Sequence, residues 1–342
     1  MILTDTPRQV GDSGLVVSPL ILGTADFGSP LLHDDPELLL GAAIDAGITT
    51  VDTSDNYRDG EGERLVGAAL RRLGRRDEII ITTKCGFPGG AGVLTRNASR
   101  LHIIRSCEAS LRRLQVDHID LLLLHRPSFD VGVAETIGAL HDLVTAGKIR
   151  YFGTSHFPAW KVMEGVAYSD RHGLPRFIAD QPGYNILDRR IEAELIPLCQ
   201  RYGVGVITCS PLGGGILSGD YNSGTIPEGS RADLWRDLPF RGRVTPAAIS
   251  VAGRVAQIAA DHGYTASQLG VLWVISQPGI TATIIAPATR AQLAENVAVM
   301  GAQLPAAAAP AIDALNPPAQ VISDFFSVSG WTHGEQVIRS SW

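Results

Sequence analysis

The stretch LLLLHRPSFDVGVAETIGALHDLVTAGKIRYFGT, residues 121–154, decides the fold. It opens on an unbroken apolar run, Leu121–Leu124, that ends in His125, and it closes on a second run, Tyr151–Thr154. Neither run alternates cleanly with polar residues. Strands buried on both faces look like this, and such strands belong to parallel sheets covered by helices. Between the runs, Val133, Ile137, Leu140 and Val144 recur at helical spacing. Gly147 follows, where a left-handed cap residue is wanted. The stretch therefore reads as strand, helix, parallel strand.

The same alternation fills the chain on either side. The apolar runs are Leu20–Gly23, Thr49–Asp52, Ile79–Lys84, Leu121–His125, Tyr151–Thr154, Ile178–Gln181, Val204–Ser210 and Ala282–Ala286, eight in all. Leu101, Ile104, Leu111 and Leu114, interrupted by Glu108, form a further helical stripe, as do Ile191, Leu195, Leu198 and Tyr202. Gly173 and Gly203 fall just past the ends of two helices. Eight strand–helix units around one core predict a (β/α)8 barrel, with a doubly wound open sheet as the competing architecture. Arg8–Leu20 reads as a hairpin turned at Asp12-Ser13-Gly14, placed to plug the barrel bottom. Gly213–Arg243 is too long for a simple connection and reads as a flap. The tail from Pro317 carries Phe325, Phe326, Trp331 and Trp342, which either line an apolar pocket or pin the tail to the barrel. No composition shift marks a linker. Residues 1–342 are thus expected to form one barrel domain, with its core over residues 8–304 and a tail over 305–342.

Composition narrows the function. Of 342 residues, 45% are hydrophobic and 19% charged, and the net charge is −6. Disordered and fibrous classes are excluded. Nucleic-acid binding is not expected, because it rests on phosphate neutralisation by Lys and Arg. No apolar run approaches the roughly 18 residues a membrane helix needs, and no secretory signal is visible between Met1 and Gly14. Cys85, Cys107, Cys199 and Cys209 stand far apart with no CxxC spacing, and read as reduced, buried thiols of a cytoplasmic protein. Nothing in the sequence speaks for or against a homo-oligomer.

In a barrel of this kind catalytic groups sit at the C-terminal ends of the strands. Here those ends carry Asp52, Lys84, His125, Ser155 with His156, Gln181 and Ser210. Each alone has a bland explanation: a turn former, a snorkelling cation, a rim histidine. As a set placed at one mouth they do not. With Tyr57, five residues past Asp52, they suit one chemistry. A Tyr hydroxyl titrates near a pKa of about 10. A neighbouring Lys lowers that value, and an Asp carboxylate holds the Lys charged. The Tyr can then give a proton to a carbonyl oxygen that a neutral His orients. None of these groups supplies a hydride, so a reduction needs a nicotinamide cofactor.

These residues lie in segments that resemble the aldo-keto reductase superfamily: GITTVDTSDNYRDGEGERLVGAAL, ITTKCG, SLRRLQVDHIDLLLLHRP, GKIRYFGTSHFPAW and CSPLGGGILSG, in that order, with the match running from about Arg8 to Leu304. The resemblance implies a (β/α)8 barrel that binds extended NADPH without a Rossmann motif. It implies a tetrad of Asp52, Tyr57, Lys84 and His125. It places Gly23, Thr24, Ser155, His156, Gln181 and Tyr184 at the nicotinamide end. His156 stands where Asn is usual, and Tyr184 where an aromatic ring often faces the nicotinamide. Ser210, Pro211, Leu212 and Gly214 match the run near the pyrophosphate, where glycines let backbone approach closely. At the adenine end Gln292, Glu295 and Asn296 match. An Ala, either Ala286 or Ala288, replaces an expected Gly or basic residue. Thr289 and Arg290 could hold the 2′-phosphate, or could be an ordinary helix start with Thr as cap. NADH is the alternative cofactor.

The resemblance points to reduction of a small-molecule aldehyde or ketone, with oxidation of a sugar or alcohol as the reverse. A Lys84 Schiff-base aldolase is the rival enzyme class. Some barrel relatives attach to ion channels, so a cofactor-sensing regulatory subunit is the non-enzymatic rival. No metal site is expected, since neither HExxH nor a close His pair occurs. Substrate specificity is expected from loops near Phe27, Phe87, Pro127–Val131, the flap and the tail.

Overall fold

The chain enters through a short hairpin, β1 (Arg8–Gln9) against β2 (Val16–Val17), antiparallel with Arg8 opposite Val17. The computed structural model describes residues 7–87, 98–222, 224–234 and 242–325. Eight parallel strands follow: β3 (Leu20–Gly23), β4 (Thr50–Asp52), β5 (Ile80–Cys85), β6 (Ile119–Leu124), β7 (Ile149–Ser155), β8 (Ala179–Gln181), β9 (Gly205–Thr208) and β10 (Ile280–Ile285). They pair in chain order, and β10 pairs with both β3 and β9, closing a barrel. The open-sheet alternative is excluded by that closure.

The helices between them are α1 (Pro36–Asp45), α2 (Glu61–Leu73), α3 (Arg100–Leu114), α4 (Val133–Thr145), α5 (Ala159–His172), α6 (Leu195–Tyr202), the short α7 (Arg231–Leu234), α8 (Pro246–Asp261), α9 (Ala266–Ser276), α10 (Arg290–Val297) and α11 (Ala308–Leu315). Gly173 and Gly203 close α5 and α6 in the left-handed conformation, and Gly147 follows α4 with φ 70°. Two helical stripes differ from the sequence reading. In α3 the buried line is Ile103, Cys107, Ser110, Leu111 and Leu114, while Leu101 is 45% exposed. In the next stripe a 3-10 turn, Arg190–Glu192, separates Ile191 from α6, and Tyr202 lies out on the surface. Both misplacements occur in end turns, where a side chain has no neighbouring layer to meet.

Inside the barrel, Ile21, Leu121, Leu123, Ala179, Ile207, Ala282 and Ile284 form one apolar cluster, and Val10 and Val17 of the hairpin belong to it. The hairpin is the bottom plug. It seats by backbone: Asp12 N donates to the Gly203 carbonyl at 2.9 Å. A Cβ on Gly11 would come within 2.1 Å of that same oxygen. With the N-terminal end stoppered, only the C-terminal end is open for chemistry.

Two later segments cover part of that end. After β9 the chain makes a 3-10 turn, Gly213–Ser218, and reaches α7, where Arg231 forms an ion pair with Asp26 in the loop after β3. The expected flap is therefore tied across the mouth by charge. In the tail, Phe325 is buried and its N–H donates to Asp188 Oδ2 at 2.6 Å. Its carbonyl lies where a Cβ on Gly183 would stand, at 2.4 Å. Phe325 thus pins the tail, and burying its ring contributes about 2 kcal/mol. Phe326, Trp331 and Trp342 lie outside the described residues. Among the described residues no helix is long and apolar enough to cross a membrane.

Candidate active site

Each strand end delivers its polar group to the open face. Asp52 is the last residue of β4, Lys84 the penultimate residue of β5, and His125 follows β6 directly. Ser155 and Gln181 end β7 and β8. Tyr57 stands in the turn that leads from β4 to α2. All four groups of the expected tetrad meet. Lys84 Nζ is the hub: it donates to Asp52 Oδ1 at 2.5 Å, to the Thr53 carbonyl at 2.8 Å and to the Tyr57 hydroxyl at 3.1 Å. Asp52 Oδ2 accepts from Gln181 Nε2 at 2.8 Å. The Tyr57 and His125 rings meet edge to face, 5.9 Å between centroids.

The electrostatics follow from burial. Lys84 is 1% exposed. Desolvation opposes its charge, but attraction from Asp52 and Tyr57 outweighs it and holds the ammonium above its ordinary pKa. Burial lifts the Asp52 carboxyl, against the pull of Lys84 and Gln181. Burial also lifts the Tyr57 phenol above its usual value, while Lys84 draws it back down. Lys84 alone thus does not leave Tyr57 acidic in the free protein, as charge arguments from the sequence implied. His125 is held neutral, first by burial and then by the charges of Arg126, Lys84 and His156. Its Nδ1 lies 3.0 Å from Ser54 Oγ, which also lies 2.7 Å from Asn56 Oδ1.

The residues expected at the nicotinamide end are at the mouth, with one exception. Ser155 Oγ donates to the Gln181 carbonyl at 2.9 Å. His156 has φ 55°, a left-handed conformation in which Asn, Asp and His are enriched, so its substitution for Asn is conformationally cheap. The Thr24 hydroxyl donates to the Asp52 carbonyl at 3.0 Å. Gly23 lets β3 approach β10, since a Cβ would meet Ile284 Cγ2 at 2.5 Å. Tyr184 is the exception. It is fully buried, stacks on Trp273 with centroids 5.2 Å apart, and donates its hydroxyl to Glu192 Oε1 at 2.5 Å. Packed into the wall behind the mouth, its ring offers no face to a cofactor.

Ser210 (φ 60°) leads into Pro211, Leu212 and the glycine turn, where φ is 57°, 64° and 100° at Gly213, Gly214 and Gly215. Side chains disfavour that sequence of angles, and bare backbone there gives a phosphate a close approach. With Ser155, His156 and Gln181 beyond it, the chain fits a nicotinamide cofactor at those two ends. At the adenine end the groups already serve the fold. Thr289 caps α10 by accepting from Gln292 N at 3.2 Å. Gln292 Oε1 accepts from Ala288 N at 2.7 Å, and Glu295 accepts the Thr265 hydroxyl at 2.5 Å. Asn296 is buried. Arg290 is 58% exposed, with Nε 3.5 Å from Asp34, and it keeps most of its reach.

The structure also brings in residues the sequence reading passed over. The sequence places Cys209 among the buried thiols. It is half-buried at the mouth, Sγ 3.7 Å from His156 Nε2, because it stands one residue past β9. Arg126 shares the mouth with His125, and its adjacency in sequence was the available signal. Asp180, in the middle of β8, is fully buried; its Oδ1 accepts from Thr154 Oγ1 at 2.6 Å, and its Oδ2 has no partner. Burial pushes its carboxyl up to about 7.

That shift makes a stability prediction. A carboxyl raised in the folded state stabilises while protonated, and the contribution is lost as pH rises towards the folded pKa. From about pH 5.5 to about pH 8, Asp180 should therefore cost about 2 kcal/mol. Asp180→Asn removes this slope, which urea unfolding at both pH values would read. An unchanged pH dependence would mean that Asp180 is ionised throughout.

Comparison with known proteins agrees with the geometry. The model of the aldo/keto reductase family matches residues 19–317. A probable voltage-gated potassium channel subunit beta of Arabidopsis thaliana is 36% identical over 295 residues, 85% of this chain and 89% of that protein. A counterpart with the same description from Oryza sativa subsp. japonica is 35% identical over the same shares. The family match begins one residue before the first barrel strand and ends past α11, so the whole barrel and its strand-end groups lie inside it: the chain belongs to the aldo/keto reductase family and is an oxidoreductase acting on carbonyl groups.

Proposed function

We propose that the protein reduces an aldehyde or ketone with NADPH, with Tyr57 as the proton donor. The observation that carries this reading is the Lys84 ammonium, bridged between Asp52 Oδ1 and the Tyr57 hydroxyl at the open end of the barrel. Reduced nicotinamide supplies the hydride when bound; Ser155, His156 and Gln181 would hold its carboxamide, the glycine turn its pyrophosphate and Arg290 its 2′-phosphate. As negative charge builds on the carbonyl oxygen, Tyr57 gives up its proton. The resulting phenolate is stabilised by Lys84, whose charge Asp52 supports.

His125 orients the carbonyl through Nε2–H. This requires Nδ1 to be the acceptor, with Ser54 donating to it. Ser54 has one proton, so Asn56 must then present its amide N–H₂ to Ser54 Oγ, half a turn from the orientation in which its oxygen accepts. Ser54 and Asn56 are thus the positioning pair that sets the histidine tautomer.

Lys84 is unsuited to Schiff-base chemistry, because its nitrogen is charged and spent on three acceptors. One second reading is a cofactor-sensing regulatory subunit, and the two relatives carry the name of potassium channel beta subunits. The complete tetrad favours turnover. The same residues run alcohol oxidation by microscopic reversibility.

Titration of the protein with NADPH and NADH, followed by calorimetry, tests the reading. Saturable NADPH binding, tighter than NADH by about tenfold, is expected, with Arg290→Ala narrowing the gap. Preference for NADH would move the assignment towards an oxidising enzyme. Binding of neither sinks it.

A further inference from the structure

Arg126 is 6% exposed, directly after His125 at the end of β6. A guanidinium has five N–H donors. Here Nη1 donates to the His125 carbonyl at 2.7 Å, and Nε is buried with no hydrogen-bond partner. The guanidinium carbon lies 5.4 Å from the centre of the Phe87 ring. Among the described residues no carboxylate comes within ion-pair distance of it. The group is therefore a desolvated cation short of acceptors.

Its surroundings locate it at the reaction site. Burial holds its pKa down at about 10, the Cys209 thiol and Tyr57 phenol pull the other way, Arg243 repels it, and Asp180 attracts it. Asp180 is a poor counter-ion, since its carboxyl is itself lifted to about 7 and faces Thr154. Arg243, the last residue of the flap segment, approaches the same space, its guanidinium 4.8 Å from the Phe325 ring centre. Burial is the largest influence on it, followed by attraction to Asp324 and then to Cys209. Two arginines thus converge beside Cys209, with Arg126 the buried one of the pair and the one beside Tyr57. Leaving the Arg126 charge desolvated and short of acceptors is unfavourable, and an arginine fork matches the oxygens of a carboxylate or phosphate.

We propose that the carbonyl substrate carries an oxyanion group, bound by Arg126 with Arg243 beside it, while its carbonyl lies between Tyr57 and His125. This rests on the reductase reading above and names the substrate class for it. The shared chemistry is a carboxylate or a phosphate, and the assay distinguishes them.

With NADPH saturating, kcat/KM is measured for 4-carboxybenzaldehyde against its methyl ester, and for glyceraldehyde 3-phosphate against glyceraldehyde. At least one charged member should be preferred by tenfold or more, about what one charge-assisted contact supplies, and the pair that shows it identifies the anion. Arg126→Gln should bring that ratio within about threefold of one, and Arg126→Lys should retain part of it. Ratios near one in both pairs overturn the proposal, as does a preference that survives Arg126→Gln. If Arg126→Gln does not fold, the parent decides by inhibition: benzoate or inorganic phosphate should compete with the neutral aldehyde where benzamide does not, and equal inhibition counts against the proposal. Failure of all four aldehydes as substrates refutes the reductase reading instead. In that case calorimetric titration of benzoate and phosphate into parent and variant still tests the site, and binding that ignores Arg126 overturns it.

Discussion

Tyr57→Phe should lower kcat by about 10²–10⁴, the range that a positioned proton donor contributes, while the NADPH dissociation constant stays within about twofold. The argument is local. The hydroxyl hydrogen-bonds to Lys84 at 3.1 Å. Removing it leaves Lys84 its bonds to Asp52 and the Thr53 carbonyl, so the hub survives. The ring, including its edge contact with His125, remains. Loss of one hydrogen bond to the charged Lys84 should cost no more than about 3 kcal/mol of stability. Single-turnover measurement with cofactor prebound separates the chemical step from binding. Turnover like the parent's, on a carbonyl the parent reduces well, would remove Tyr57 from the mechanism.

Lys84→Met should cost both activity and stability, and the two losses can be separated. Without the ammonium, the Asp52 carboxyl is buried beside Gln181 with no cation. Removing one partner of a buried pair destabilises by about 3–5 kcal/mol. Asp52 escapes part of this by taking a proton, because burial already raises its pKa. A raised carboxyl is stable below its folded pKa and loses that contribution above it, so the deficit should shrink as pH falls from neutral towards about 5. The double variant Asp52→Asn with Lys84→Met removes the stranded charge. It should recover much of the stability, read by urea unfolding, and none of the turnover. A double variant as unstable as Lys84→Met alone would show that the pair matters through packing rather than charge.

Much of the architecture was legible in linear order because the signals are local. Apolar runs that do not alternate report strands buried on both faces, and glycines at 147, 173 and 203 report chain reversal in the left-handed region. The errors lie where a side chain's environment is set by distant chain. Polar Asp120 and Arg150 hid the true starts of β6 and β7. Asp120 is tolerated there because Arg76 and the Ile81 N–H reach its carboxylate, at 2.9 and 2.8 Å. Tyr184 was expected at the cofactor, but Trp273 and Glu192 hold it in the wall. At the adenine end, the bonds of Thr289, Gln292 and Glu295 show how much of a matching motif also serves to build a helix start.

By itself the sequence determined the strand–helix alternation and which residues end the strands, because periodicity and chain direction are properties of neighbours in the chain. It therefore determined that Asp52, Lys84, His125, Ser155 and Gln181 would share one face of a barrel. Only the tertiary structure decided what they do to one another. The ammonium of Lys84 touching Asp52 and Tyr57, the neutral state of His125 and the under-paired guanidinium of Arg126 all depend on distances of a few ångströms and on the exclusion of water. Charge interactions are weak in water and strong where it is excluded, and which groups lose their water is settled only when the barrel closes.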